Sequence, residues 1–118
     1  MKKIILTIIT LLLTGCTSIS KTSVITYNDA LKLINNKDAI IIDVRTESEF
    51  NEGHIEDAIL MTLDTINENV AKNNITSKDS YVIVYCRSGN RSKQAQELLN
   101  SLGYTNVYNL GSINNWQG

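Results

Sequence analysis

Apolar residues along the chain switch repeatedly between two patterns. Ala39 to Ile42 and Val82 to Val84 are unbroken runs rich in β-branched residues, as expected of strands covered on both faces in a parallel sheet. Shorter runs at Ile59 to Leu63 and Asn106 to Leu110 predict two more strands, and Val24 to Thr26 a fifth. Between these runs the period becomes helical. Tyr27, Ala30, Leu31 and Ile34 share a helix face, with Thr26 or Asn28 as candidate N-caps and Asn35 to Asp38 as the stop. A short helical pattern covers Glu47 to Asn51 and a weaker one Asp64 to Asn74. A clear one begins near Ser92, where Ala95, Leu98, Leu99 and Leu102 fall at i, i+3, i+4 and i+7. This alternation predicts an α/β fold, a single domain whose mainly parallel central sheet of about five strands is flanked by helices. Ligands of such sheets sit beyond the carboxyl ends of the strands, which is where Cys86 falls.

The first residues follow a different pattern. Met1-Lys2-Lys3 precedes an apolar stretch from Ile4 to Leu13 interrupted only by threonines, a basic start and short apolar core that read as a secretory signal too short to span a bilayer. Leu13-Thr14-Gly15-Cys16 resembles a bacterial lipobox. That resemblance implies cleavage before Cys16, diacylglycerol on its sulfur, and a signal peptide over residues 1–15. Residues 16–23 are then a lipidated tether, polar and rich in serine and threonine, and residues 24–118 the domain. The expected location is the bacterial cell envelope, with the domain anchored to a membrane and facing the extracytoplasmic side.

Composition narrows the function classes. The 118 residues carry 11 Lys and Arg against 12 Asp and Glu, a net charge of −1. With no extended basic patch and few aromatics, nucleic acid is not an expected partner. One histidine, scattered carboxylates and one available cysteine make no metal-ligand set, so no metal is expected. The sequence holds two cysteines; with lipid on Cys16, Cys86 is left without a partner in its own chain. An unpaired thiol in an exported domain points to chemistry more than to architecture.

The segment around that thiol explains what the chemistry is. Cys86 ends an apolar run and is followed by Arg87, Ser88, Gly89, Asn90, Arg91 and Ser92. Gly89 allows a sharp turn whose amides form an anion-binding nest around the sulfur, and the helix that follows aims its positive dipole end there. Arg87 and Arg91 add two cations, so all these groups favour thiolate over thiol. Arg87 is expected to steer an anionic substrate and Arg91 to brace the loop. Ser88 and Asn90 contribute backbone amides, and Ser92 is a candidate N-cap.

Several separated segments occur in a characteristic order: Ile-Ile-Asp-Val-Arg at 41 to 45, Glu49-Phe50, Gly53-His54-Ile55, the loop Cys86 to Arg91 with Ser92, and Asn109-Leu110-Gly111 followed by Trp116. Together, from about Val24 to Trp116, they resemble the rhodanese family of sulfurtransferases. The resemblance implies Cys86 as catalytic nucleophile, carrying sulfane sulfur as a persulfide from thiosulfate or a persulfide donor to a thiol, cyanide or protein acceptor. It implies no cofactor beyond that covalent intermediate, a small anionic donor as partner, and a monomer. It also places Asp43 and Arg45 beside the active loop as a structural ion pair, with Glu49 and His54 in the supporting network and Trp116 as a core or lid aromatic.

Two other functions compete. Cysteine-dependent phosphatases and arsenate reductases place five residues between cysteine and arginine, whereas four separate Cys86 from Arg91, a smaller ring suited to a single sulfur atom. A rhodanese-like module acting only as a binding domain is the other alternative, disfavoured by retention of Cys86 and both arginines. The chain also departs from the family pattern. No proline follows His54-Ile55, Gly111-Ser112 stands where paired glycines are usual, and little sequence follows Trp116.

Overall fold

The computed structural model describes residues 18–118. The expected signal segment and the expected lipidation site at Cys16 lie outside the described residues. Helix α1 (Tyr27–Lys37) opens on a capping box, in which Thr26 Oγ1 accepts from the Asp29 amide and Asp29 accepts in return from the Thr26 amide. It ends where Asp38 turns left-handed. Strand β1 (Ile40–Asp43), helix α2 (Glu47–Glu52) and strand β2 (Ile59–Leu60) follow, then a 3₁₀ turn at Leu63–Thr65 and helix α3 (Glu68–Asn74). The weak helical pattern from Asp64 to Asn74 is thus split in two, because the Asn67 side chain caps the Val70 amide at 2.9 Å and starts a new helix. Strand β3 (Tyr81–Cys86), helix α4 (Asn90–Ser101), strand β4 (Asn106–Ser112) and a 3₁₀ turn at Ile113–Asn115 complete the order.

The sheet has four strands in the order β2-β1-β3-β4, all parallel. The expected fifth strand does not form: Val24–Thr26 is tied to the sheet's edge by a backbone bond from Ile25 N to Asn109 O at 2.9 Å and makes no ladder. Alternation along the strands separates two apolar clusters. Ile42, Val82 and Val84 pack with Ala95 and Leu99 of α4, while Ile41, Ile83 and Tyr85 pack with Ala30 and Leu33 of α1. Both faces are covered, which is why these strands read as continuous apolar runs.

Position in this sheet sets the chemistry of the two residues that end β3. Tyr85 and Cys86 point to opposite faces, Cys86 toward α4 and Tyr85 toward α1. Opposite them, the pairing of β3 with β4 shifts register between Val84 and Tyr85, so that Val84 pairs with Asn109 and Tyr85 with Gly111. Leu110 is the inserted residue of the bulge. The Asn109 side chain closes it by accepting from the Gly111 amide at 2.8 Å. Gly111 adopts φ +82°, and a Cβ there would press on Val24 and Asn115 at 3.2 and 3.3 Å.

Candidate active site

The turn after β3 is shorter than the sequence indicated. Only Arg87, Ser88 and Gly89 separate Cys86 from α4, which starts at Asn90 instead of near Ser92. Gly89, at φ +103°, is the N-cap; Ser92 is not, and lies inside the first helical turn. The reason is local: a left-handed residue at Gly89 turns the chain within one step, and L side chains resist that conformation. The Ser92 hydroxyl then points backward and donates to Gly89 O at 3.1 Å instead of capping an amide ahead of it.

This arrangement encloses the sulfur. Cys86 has no exposed surface. Its Sγ accepts from the Gly89 amide at 3.0 Å and the Ser92 amide at 3.4 Å, and the Ser92 hydroxyl lies 3.4 Å away. In the thiol form Cys86 donates to Ser92 Oγ; in the thiolate form the hydroxyl proton can turn onto the sulfur. Burial by itself pushes the thiol's pKa up. Hydrogen bonds from the Ser92 hydroxyl and from the Ser92, Gly89 and Ser88 amides outweigh it, leaving the thiol below its ordinary value. The amide nest and the hydroxyl carry the effect that the sequence pattern shared out to the arginines.

Arg91 is occupied elsewhere. Its guanidinium forms a two-pronged pair with Glu49, Nη1 to Oε1 at 2.8 Å and Nη2 to Oε2 at 3.0 Å. Glu49 is held in turn by Thr46, the N-cap of α2, whose amide and hydroxyl both donate to Oε1 at 3.0 Å. Arg91 first, then the Thr46 amide, pull the Glu49 carboxyl down to about 2. A capping box at one helix start and an arginine in the first turn of another thereby lock α2 against α4. Arg87 is exposed at the rim, as are Ser88 and Asn90.

Beneath the turn lies a second, buried network. Asp43, fully buried, accepts from the Arg45 amide at 2.9 Å, from Arg45 Nε at 2.9 Å and Nη2 at 2.7 Å, and from the Tyr85 hydroxyl at 2.7 Å. Arg45 Nη2 also donates to Gly53 O at 2.7 Å, and the Ile55 amide donates to Tyr85 Oη at 3.1 Å. Burial, then the bond to Asp43, push the Tyr85 hydroxyl far up, so it stays a neutral donor. The network joins β1, β3 and the 53–55 segment directly under the residue that precedes Cys86. Tyr85 and Thr46 escaped the sequence reading, which named Gly53 only within the Gly53-His54-Ile55 segment. The available signals were Tyr85 near the end of a largely aliphatic strand and the Thr46-to-Glu49 spacing of a capping box.

His54 stays out of both networks. It is exposed, stacks on Phe50 at 3.6 Å between ring centres, and its Nδ1 lies 2.8 Å from Phe50 O. Trp116 meets Tyr27 edge-on at 4.9 Å, away from the sulfur's face of the sheet. Among the described residues no group of three His, Cys, Asp or Glu could hold a metal, and no helix is long and apolar enough to cross a membrane. A cleft of about 370 Å³ opens beside the turn, lined by Val44, Arg45, Thr46, Thr62, Leu63 and Arg91 among others.

Residues 26–118 match the rhodanese-like domain family. The chain is 38% identical over 72 residues to the thiosulfate sulfurtransferase PspE of Escherichia coli, covering 61% of this chain and 68% of that protein. It is 37% identical over 86 residues to a sulfurtransferase of Allochromatium vinosum, covering 72% of this chain and 78% of that one. Among solved structures it resembles an E. coli rhodanese determined with anions, with a TM-score of 0.61 and 35% identity over 65% of this chain and 89% of that one.

Proposed function

The chain belongs to the rhodanese-like domain family, and from that premise we propose that it moves sulfane sulfur through a persulfide on Cys86. One observation carries the proposal: a buried sulfur that receives two backbone amides at 3.0 and 3.4 Å and faces a serine hydroxyl at 3.4 Å. Such a nest stabilises a negative charge on sulfur whether that charge sits on a thiolate or on a persulfide. Named sulfurtransferases among the relatives support the same class of activity.

In the first half-reaction the Cys86 thiolate attacks the outer sulfur of thiosulfate. A new S–S bond forms, the donor's S–S bond breaks, and its electron pair leaves with sulfite; the enzyme keeps one sulfur as the persulfide anion. In the second, an acceptor nucleophile such as cyanide or a thiolate attacks the terminal sulfur, and Cys86 departs as thiolate. Neither step moves a proton, so no general base is required and His54 has no part in the chemistry. Arg87, exposed at the rim, draws in the anionic donor. Because Cys86 has no exposed surface, the Arg87–Gly89 turn must shift for the donor to reach it.

The two-pronged Glu49–Arg91 pair also argues against the phosphatase reading, since that guanidinium is committed to a carboxylate and is not free to grip a tetrahedral oxyanion. Mass spectrometry after thiosulfate treatment is expected to show one added sulfur on the wild-type protein, lost on addition of cyanide with release of thiocyanate, and none on Cys86→Ser. An unmodified wild type, or phosphate release from an aryl phosphate without sulfur transfer, would overturn the proposal. The lipobox-like Leu13 to Cys16 segment supports a second element of the proposal, a diacylglycerol anchor on Cys16 that holds the domain outside the cytoplasm.

A further inference from the structure

Residues 21–25 are not a free leash. Lys21 O accepts from the side chain of Gln96, itself 8% exposed, at 2.9 Å, and Lys21 Nζ donates to Thr105 O at 3.2 Å. Further on, the Ile25 amide donates to Asn109 O at 2.9 Å. Residues 21–25 therefore run alongside β4 in its own direction, and Ser18 and Ile19 lie at the end of the sheet where β3 and β4 begin. There they line a cleft of about 460 Å³ together with Lys21, Lys37, Tyr81 and Tyr108. A smaller neighbouring cleft of about 360 Å³ adds Lys32 and Asn36. Cys86 closes the opposite end of β3, five residues beyond Tyr81, about 16 Å away at the rise of an extended strand.

Charge follows the same axis. The lysine end holds Lys21, Lys32 and Lys37, with Asp38 and Asp79 the nearby acids. The Cys86 end holds Glu47, Glu52, Glu56, Asp57 and Asp64, all exposed, against the exposed Arg87 and Lys93, the latter 3.9 Å from Glu97. A domain with this polarity turns its lysine end toward a negative surface. Ser18 lies two positions beyond Cys16, a span of about 7 Å when extended, inside the Debye length of about 8 Å at physiological salt.

We infer that the Lys21–Lys32–Lys37 end docks on the anionic headgroups of the bilayer that carries the anchor, directing the Cys86 turn away from the membrane. This rests on the lipid anchor proposed above. Sulfur donor and acceptor then approach from the aqueous side and not from within the bilayer.

The test uses the full lipidated chain with Cys86→Ser to leave no other reactive thiol, a fluorophore on Asn36→Cys or on Glu52→Cys, and vesicles with nitroxide-labelled headgroups. In vesicles containing phosphatidylglycerol the probe at 36 is expected to be quenched at least threefold more than the probe at 52. That ratio should fall toward one in phosphatidylcholine alone, in 1 M salt, and with Lys21→Glu, Lys32→Glu and Lys37→Glu combined. The Lys→Gln set at the same positions should give an intermediate ratio, and its lysine changes should leave sulfur transfer in detergent unaltered when Cys86 is present. Equal quenching at both positions in anionic vesicles, or a ratio indifferent to the lysines, overturns the docking. The intact mass of the membrane-purified protein reports the anchor separately; absence of diacylglycerol on Cys16 overturns the anchor, and the docking with it.

Discussion

Replacing Ser92 by alanine isolates the group that tunes the sulfur. Ser92 is fully buried, and its hydroxyl contacts two atoms, Cys86 Sγ at 3.4 Å and Gly89 O at 3.1 Å. Gly89 O also accepts from the Lys93 amide at 3.1 Å, so losing the hydroxyl orphans no carbonyl, and the stability cost should stay below about 1 kcal/mol. The cost to the thiolate is larger. A hydrogen bond to a charged group contributes about 1.5–3 kcal/mol, and at 1.36 kcal/mol per pKa unit a bond at the long end of the range predicts a rise of about one unit. The Ser92 amide remains in place, which caps the effect.

Rates give a sharper signature than the pKa alone. Below both pKa values a one-unit rise cuts the thiolate fraction about tenfold, while the more basic thiolate is about threefold more nucleophilic, so alkylation slows about threefold to fourfold. Above both values the order reverses and Ser92→Ala reacts about threefold faster. The assay is the pH dependence of iodoacetamide alkylation on a background of Cys16→Ser, paired with thiolate absorbance against the double variant that also carries Cys86→Ser. Parallel rate curves at every pH, or an unchanged midpoint, would refute the assignment of Ser92 as the tuning hydroxyl.

Glu49→Gln should destabilise the domain by about 1–2 kcal/mol, between an exposed ion pair and a charge-assisted buried one, lowering Tm by about 5–10 °C. The folded carboxyl lies at about 2, below its ordinary 4.5, so its contribution is full above pH 4.5 and lost as pH falls toward 2; the gap between variant and wild type in urea denaturation should close over that window. A gap independent of pH would separate Glu49 from the brace. Asp43→Ala strands the guanidinium of Arg45 and the hydroxyl of Tyr85 in the interior, with an expected loss of about 3–5 kcal/mol; a urea midpoint within experimental error of wild type would show that the network is dispensable.

The alternation of continuous apolar runs with helical periods contained the α/β architecture, the helix face at Ala95 and Leu99, and the thiol at the carboxyl end of a central strand. These are properties of neighbouring residues, set by side-chain period and turn chemistry over a few positions. The Thr46 capping box and the Gly89 turn are local in the same sense, although the sequence pattern placed the helix start two residues late, because Ser92 resembles an N-cap when its hydroxyl's true partners are out of view. Everything that joins distant segments was decided by the tertiary structure. Glu49 meets Arg91 across 42 positions and Tyr85 meets Asp43 across 42, contacts that exist only once the parallel sheet places α2, β1 and β3 side by side. The docking of residues 21–25 along β4 is of the same kind. So is the identity of the groups that stabilise the sulfur's charge: the sequence offers two arginines beside the cysteine, and folding gives one of them to Glu49 and surrounds the sulfur with amides and a hydroxyl.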